Sequence, residues 1–508
     1  MFKKMHPLIK TFSRDENMKT PILTGVALVI MIVVFVCGLC GCAPKKDDGS
    51  IPLTTKSKKA KQYYLQGIEL ADKLQAQDAL GYFEKAVAED PDFALAWLNL
   101  AFAQPTFKDF YEKTAKALAL VDKVSEGEAL MIKAADAASK GQIEEETALY
   151  QQLAAKYPSD KRAHSLLANV LMGQQQYLEA IDEYRKALEI DSTFSPSYNQ
   201  MGYCHRFLGQ YNEAEKSFKK YIELIPNDPN PYDSYAELLM KMGRYEESIP
   251  QYEKALSLNP NFVSSYIGIA TDLNYLNRFE EARSKLQELF DKARHSGEKR
   301  SALFSMAISF VLEGNYDAAV AKIRNMLVLS EENADPTAVS LDLNTLGGIL
   351  LEQGKIDEAA EAFQKSLETY EATNMDEALK VDTRREHLFN MARVASAKGD
   401  NAAAQALCDS LQLQIEPLKQ PLKMYQVHEL GGLVALGAKD YPKAVEELSR
   451  ANQENPYILY KLALAYQGLG DKENTRNYCA KVFNFNALNS LNYAFVKAKA
   501  QQMMGTLA

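Results

Sequence analysis

The sequence predicts an all-α solenoid of tandem helical hairpins, and three observations carry that prediction. From about residue 60 a pattern returns at a fixed interval, with Gly202, Ala236 and Ala270 each 34 residues apart. Within each interval small residues, aromatics and a closing proline keep constant places. No segment interrupts this with the period-two alternation that a half-buried strand requires. A repeat of this length is one supersecondary unit that cannot bury its apolar face alone and must stack on its neighbours.

The units between 60 and 290 are the most regular. Tyr63, Gly67, Ala79, Phe83, Ala86 and Pro91 mark the first; Ala168, Ala180, Tyr184 and Ala187 mark a later one. Tyr198, Gly202, Ala214, Phe218 and Pro226 follow, then Tyr232, Ala236, Tyr252, Ala255 and Pro260. An aromatic, a small eighth residue, Ala at the twentieth place, an aromatic four later, Ala and then Pro resemble the tetratricopeptide repeat. The resemblance implies two antiparallel helices per unit and a right-handed superhelix. Small residues at the eighth and twentieth places let the helices approach, and Pro stops the second helix. Gly209 and Gly243, at the fifteenth place, supply the turn between helices.

Later units drift. Gly314 with Ala319, Gly354 with Ala359 and Phe363, Gly399 with Ala404, Ala444 with Pro456, and Gly470 mark longer or offset hairpins over 291–485. The whole array reads as about twelve hairpins. Residues 486–508 read as a capping helix and tail, with Leu488, Leu491 and Phe495 on one face.

The N-terminus is of another kind. Residues 21–41 carry no charge and are about long enough to cross a bilayer as a helix. The run fits either an uncleaved anchor or a secretory signal with a long apolar region. Leu39-Cys40-Gly41-Cys42 resembles the lipobox of bacterial lipoproteins, which implies that Cys42 is lipidated and becomes the mature N-terminus. Residues 18–42 are then the signal or transmembrane segment, and 1–17 an over-extended gene start or a cytoplasmic N-terminus. Residues 43–59 are polar, with Pro, Gly, Ser and Lys, and read as a flexible tether.

The net charge of −9 and the absence of a basic stripe in the array argue against nucleic acid as partner. Of the six cysteines, Cys204, Cys408 and Cys479 are widely spaced and form no CxxC pair, so neither a zinc site nor a disulfide framework is expected. Phosphate-binding glycine loops and GxSxG are missing. His428-Glu429 begins like HExxH, but Gly432 stands where the second His is needed. His164 and His205 fall at packing positions. No catalytic residue, cofactor or metal is therefore expected.

Helical geometry singles out a binding stripe. At about 100° per residue, places 2, 5, 9 and 12 of the first helix lie together, roughly 135° from its packing face. In the family this second stripe lines the concave surface, which holds peptides or partner helices. It selects Arg162, Asn169 and Met172, then Asn199, Tyr203 and Arg206, then Asp233, Glu237 and Met240, then Ile267, Thr271 and Asn274. Phe207, Lys241 and Tyr275 flank it at place 13. Aromatic, Met, Asn and Arg character suits a protein interface. The expectation is a membrane-anchored scaffold in the cell envelope that binds a protein or peptide partner. Ala43 in place of an inner-membrane-retaining Asp favours the outer membrane, facing the periplasm. The alternative is a membrane-anchored regulatory or sensor module with its array in the cytoplasm.

Overall fold

The structure is a computed structural model of the chain and describes residues 49–507 apart from 74 and 419. The apolar run and Cys42 lie outside the described residues. Those residues form α-helices and two short 3₁₀ turns, without a strand. The first four hairpins pair α1 (Lys58–Asp72) with α2 (Ala76–Glu89), α3 (Ala94–Phe102) with α4 (Phe107–Leu118), α5 (Glu126–Ser139) with α6 (Ile143–Lys156), and α7 (Lys161–Gly173) with α8 (Tyr177–Ile190). The next four pair α9 (Ser195–Phe207) with α10 (Tyr211–Leu224), α11 (Asn230–Lys241) with α12 (Tyr245–Leu258), α13 (Val263–Tyr275) with α14 (Phe279–Lys292), and α15 (Ser296–Glu313) with α16 (Tyr316–Glu332). The last four pair α17 (Pro336–Glu352) with α18 (Ile356–Glu371), α19 (Glu377–Ala397) with α20 (Asn401–Ile415), α21 (Pro421–Gly437) with α22 (Tyr441–Arg450), and α23 (Pro456–Gly468) with α24 (Lys472–Phe483). A single helix, α25 (Leu491–Thr506), closes the array.

The repeat pattern has a direct packing cause. Where the eighth place is Gly, the residue at place 24 of the same hairpin lies on it. A Cβ added at Gly67, Gly202, Gly347 or Gly432 would stand 2.6, 2.6, 2.5 or 2.4 Å from Phe83, Phe218, Phe363 or Leu448. The small residue thus admits a side chain from the facing helix. We expect Gly202→Ala to cost about 1–3 kcal/mol by overpacking. Its exchange protection should fall in hairpins four to six before distant ones, because each unit rests on its neighbours. A uniform rise in hydrogen exchange along the array would contradict this. Gly209 and Gly243 turn the chain at φ +70° and +77°, a left-handed conformation that also occurs at Gln175 and Asn277 in the equivalent turns.

The solenoid coils tightly enough that one turn touches the next. Gln75, between α1 and α2, donates to Asp228 between hairpins five and six at 3.3 Å. Asp78 pairs with Arg294 ahead of hairpin eight at 2.9 Å, and α4 touches α17. Gln175 in hairpin four donates to Glu454, between hairpins eleven and twelve, at 3.0 Å. In hairpin six, Lys241 donates to the Phe485 carbonyl and Tyr245 to Asn486 Oδ1 at 2.6 Å. The turns within early hairpins therefore rest on the loops between later ones. Within the second turn, Tyr457 of α23 and Lys499 of α25 both reach Glu352 of α17, at 2.6 and 2.9 Å. α25 packs between α15, α23 and α24. It caps the array, but it also fills its inside.

The expectation of a flexible tether over 43–59 is corrected for residues 49–57, which form an extended strap pinned across hairpins four to one. Ile51 is 3% exposed, and its N–H donates to Asp160 Oδ2 at 2.8 Å while its carbonyl accepts from Arg162 at 3.1 Å. The Thr54 N–H donates to Glu128 Oε1 at 2.7 Å and its hydroxyl to Glu128 Oε2. Thr55 and Lys56 then meet Asp90. Polar composition alone suggests an unfolded stretch. Carboxylates that also cap α5 and α7, at Glu128 and Asp160, instead satisfy the strap's backbone.

Candidate protein-binding surface

The stripe residues lie on the first helices of successive hairpins, and most are engaged with the protein itself. Tyr203 of α9 donates to Glu237 of α11 at 2.8 Å, and Arg206 reaches the same carboxylate at 2.8 Å. The Arg206 guanidinium lies 5.0 Å over the Tyr203 ring and 4.7 Å over Phe207. Asp233 accepts from Ser265 of α13 at 2.6 Å, and burial pushes its carboxyl up to about 7 against that hydrogen bond. Asn274 accepts from Ser309 of α15 at 2.7 Å. Thr271 donates to the Ile267 carbonyl at 2.8 Å. The contacts between helices tie neighbouring units together: their spacing of about one repeat matches the distance between adjacent first helices.

The remaining stripe residues divide by position. Arg162 leaves the wall for the strap, binding Asp160 through Nε at 2.9 Å and Nη2 at 2.6 Å. Burial alone would raise the Asp160 carboxyl, but Arg162 and two backbone amides hold it below the usual range. Asn169 accepts from Tyr184 at 2.5 Å. Met172 and Met240 are core residues. Asn199 is 5% exposed, with its Oδ1 unpartnered among the described residues. Phe207 is 40% exposed, its other face stacked on Tyr177 at 5.0 Å. Tyr203, Glu237 and Ile267 are half-buried.

Lys241 and Tyr275 do hold backbone carbonyls, and they belong to a loop of this chain that turns through a left-handed Asn486. Tyr275 donates to the Ala487 carbonyl, and its ring meets Tyr493 edge-on at 5.5 Å. Lys241 lies 4.1 Å over Phe485. Burial lowers the Lys241 ammonium to about 8, with Arg206 adding and Glu237 and Glu454 opposing. The reading of Tyr275 and Lys241 as open anchors is corrected on this ground: residues 485–493 occupy them. Burial raises the Glu454 carboxyl while Lys241 and Arg206 pull it down. Glu454 and the segment 485–487 carry no signal in the sequence, because helical periodicity says nothing of what a coiled array brings back onto its own wall.

A second stretch of inner wall stands open, on α17, α19 and α21. Asn344 donates to Glu386 at 2.6 Å and accepts from Asn390 at 2.8 Å. A Cβ at Gly348 would meet nothing within 4 Å. Burial in the wall pushes Glu429 up to about 7 despite Arg393 and Lys461 nearby. The stripe legible in the sequence ends at 275, since the regular period ends near 290. Of the histidines, His164 is engaged through both nitrogens, by Glu183 at 2.7 Å and the Pro158 carbonyl at 3.0 Å. Cys204, Cys408 and Cys479 are buried and unpaired.

Family models for the tetratricopeptide repeat match residues 161–227, 229–262 and 343–374, which are hairpins four to six and part of hairpin nine. The chain is a tetratricopeptide repeat protein. As such it is a protein-interaction module on a scaffold fold. A further model, described as anaphase-promoting complex subunit 5, matches residues 266–352 of the repeat array. Among curated proteins it is similar to human DnaJ homolog subfamily C member 3, 28% identical over 180 residues, covering 34% of this chain and 33% of that protein. It is also similar to an uncharacterised protein of Methanocaldococcus jannaschii, 44% identical over 46 residues, covering 9% of this chain and 54% of that one. The matches thus span about half or less of these relatives' own lengths. Among solved structures, a tetratricopeptide repeat protein of Parabacteroides merdae is 14% identical, covering 57% of this repeat protein and 100% of that chain, at a TM-score of 0.35. PilW, described as a widely conserved type IV pilus biogenesis factor, is 18% identical, covering 52% and 96%, at a TM-score of 0.29.

Proposed function

We propose that this protein is a membrane-anchored scaffold of the cell envelope that gathers a protein partner on the inner wall of its repeat array. The observation that supports it most is the tetratricopeptide array itself, a fold whose inner wall is a continuous row of side chains from successive first helices. Two stretches of that wall reach solvent: Tyr203, Phe207, Glu237 and Ile267 in the first turn, and Asn344, Glu386 and Glu429 in the second. Aromatic and Arg anchors dominate interface energetics, so Phe207 with Arg206 beneath it is the first-turn anchor. The uncharged run ending at Leu39-Cys40-Gly41-Cys42 supplies the anchor, with Cys42 lipidated and the array facing the periplasm from the outer membrane.

Three measurements test this. A photo-crosslinking residue at Phe207 or Glu386, in the full chain in its own envelope, should capture one and the same partner. The same residue at Lys219 or Glu253, on the convex side, should capture none. Capture only from the convex positions would show that the inner wall is the wrong surface. Separately, Cys42→Ser should abolish incorporation of labelled fatty acid; labelling that survives the change excludes lipidation at Cys42. Protease accessibility in spheroplasts reports the side of the membrane, and a protected array would favour the cytoplasmic sensor reading.

A further inference from the structure

We propose that the strap fixes which end of the superhelix faces the membrane: the end carrying the loops between hairpins one to five lies against the lipid surface. The inference rests on the anchored reading above and holds whether the anchor is a lipid on Cys42 or an uncleaved helix ending near Gly41.

The strap determines where the chain leaves the array. Going backwards from α1, Lys56 and Thr55 lie at Asp90, Thr54 at Ser125 and Glu128, and Ile51 at Asp160 and Arg162. Gly49 lies beside Ser159, in the loop between hairpins three and four. The segment therefore departs from the edge of the first turn that carries the loops between hairpins, and not from α1 where the array begins. Only residues 43–48 separate that point from Cys42, and six residues reach at most about 21 Å. Had residues 43–57 all been a free tether, the reach would have been about 50 Å and no orientation would follow.

The opposite edge of the first turn is unavailable. The turns inside hairpins one, four and six rest on the second turn through the contacts at Arg294, Glu454 and Asn486. The far end of the molecule is then the edge with the turns at Gly314, Gly354, Gly399, Lys439 and Gly470. Two stacked layers of helices, mostly 12 to 18 residues long, set it roughly 40 Å farther from the lipid. The open inner wall on α17, α19 and α21 belongs to that distal layer, so the anchor presents it away from the membrane.

The test uses the full chain in phosphatidylethanolamine–phosphatidylglycerol vesicles. A donor dye is placed through a bio-orthogonal amino acid at exposed Ser192, in the loop before hairpin five, or at exposed Gln467, at the end of α23. The acceptor is a lipid-phase dye. Energy transfer should be several-fold higher from 192 than from 467. Ile51→Asp combined with Thr54→Pro removes an apolar anchor and a donor N–H from the strap without altering a hairpin. Circular dichroism should be unchanged, while the contrast between 192 and 467 collapses. Equal transfer from both positions in the unaltered chain would overturn the proposal, as would a contrast that survives release of the strap. If the full chain fails to float with the vesicles, the anchored reading itself is wrong, and this inference falls with it.

Discussion

Tyr493→Ala is expected to destabilise the C-terminal half of the array by about 3–5 kcal/mol, the range for emptying a large buried aromatic site. Tyr493 is wholly buried. Its ring meets Tyr275 at 5.5 Å and Phe485 at 6.1 Å, and its hydroxyl donates to the Phe483 carbonyl at 2.8 Å. It thus joins the capping helix, the segment before it and hairpin seven at one point. Loss of the ring removes the packing that holds residues 485–487 on Lys241 and Tyr275. Hydrogen exchange should rise in α25, then in the turn at 241–245 and in α15, and hardly at all in hairpins two and three. Tyr493→Phe keeps the ring and should cost only about 1 kcal/mol, the value of one hydrogen bond. Denaturant titration of both variants decides the matter. Equal losses would mean that the hydroxyl, not the ring, seats the cap.

Asp272→Asn should stabilise the protein increasingly as pH rises from 4 to 8. Asp272 of α13 is fully buried, and neither carboxyl oxygen has a partner among the described residues. Ser248 stands near enough to help, but its hydroxyl donates to the Ala236 carbonyl at 2.8 Å. Burial pushes the carboxyl up to about 8, with Glu246 adding and Ser248 opposing, and no cation contributes. The unfolded carboxyl ionises near its ordinary value of about 3.9. Below that value both states are protonated, and Asp and Asn should be nearly equivalent. Between about pH 4 and 8 the unfolded state loses its proton while the folded state keeps it, so folding grows progressively less favourable. Above about 8 the penalty is constant. Across that window folding weakens by at most about 1.4 kcal/mol for every tenfold fall in proton concentration. Local relaxation around the carboxylate reduces the total, so the gain from Asn at pH 8 should be about 2–4 kcal/mol. A gain that does not change with pH would show that ionisation of Asp272 is not its source.

The hairpins can be read from the sequence because their determinants are local. The step from Gly202 to Ala236 to Ala270 marks the eighth place, and where Gly stands there its contact with place 24 lies within the unit itself. The turns at Gly209 and Gly243 need a left-handed residue wherever the hairpin lies. The binding stripe is only half legible. Periodicity places Tyr203, Arg206, Asp233 and Asn274 on one side of their helices, and they are there. It cannot say that Glu237, Ser265 and Ser309 already take their hydrogen bonds, because those partners belong to the next repeat. The open wall on α17 and α19 leaves no mark in the pattern because those helices, 17 and 21 residues long, have left the 34-residue register.

The amino-acid order by itself determined the helices, their pairing and the number of units, since each follows from side chains within one period of one another. It also carries the uncharged run and the Cys42 motif, and the lipid anchor proposed for them rests on those residues alone. Coiling was decided only in three dimensions. Small rotations at each hairpin interface accumulate until hairpin four meets Glu454 and hairpin six meets Phe485, and no local pattern records such a sum. The strap was decided there too: residues 49–57 have no periodicity of their own, and they are ordered because the capping carboxylates Glu128 and Asp160 of other hairpins stand where their backbone needs acceptors.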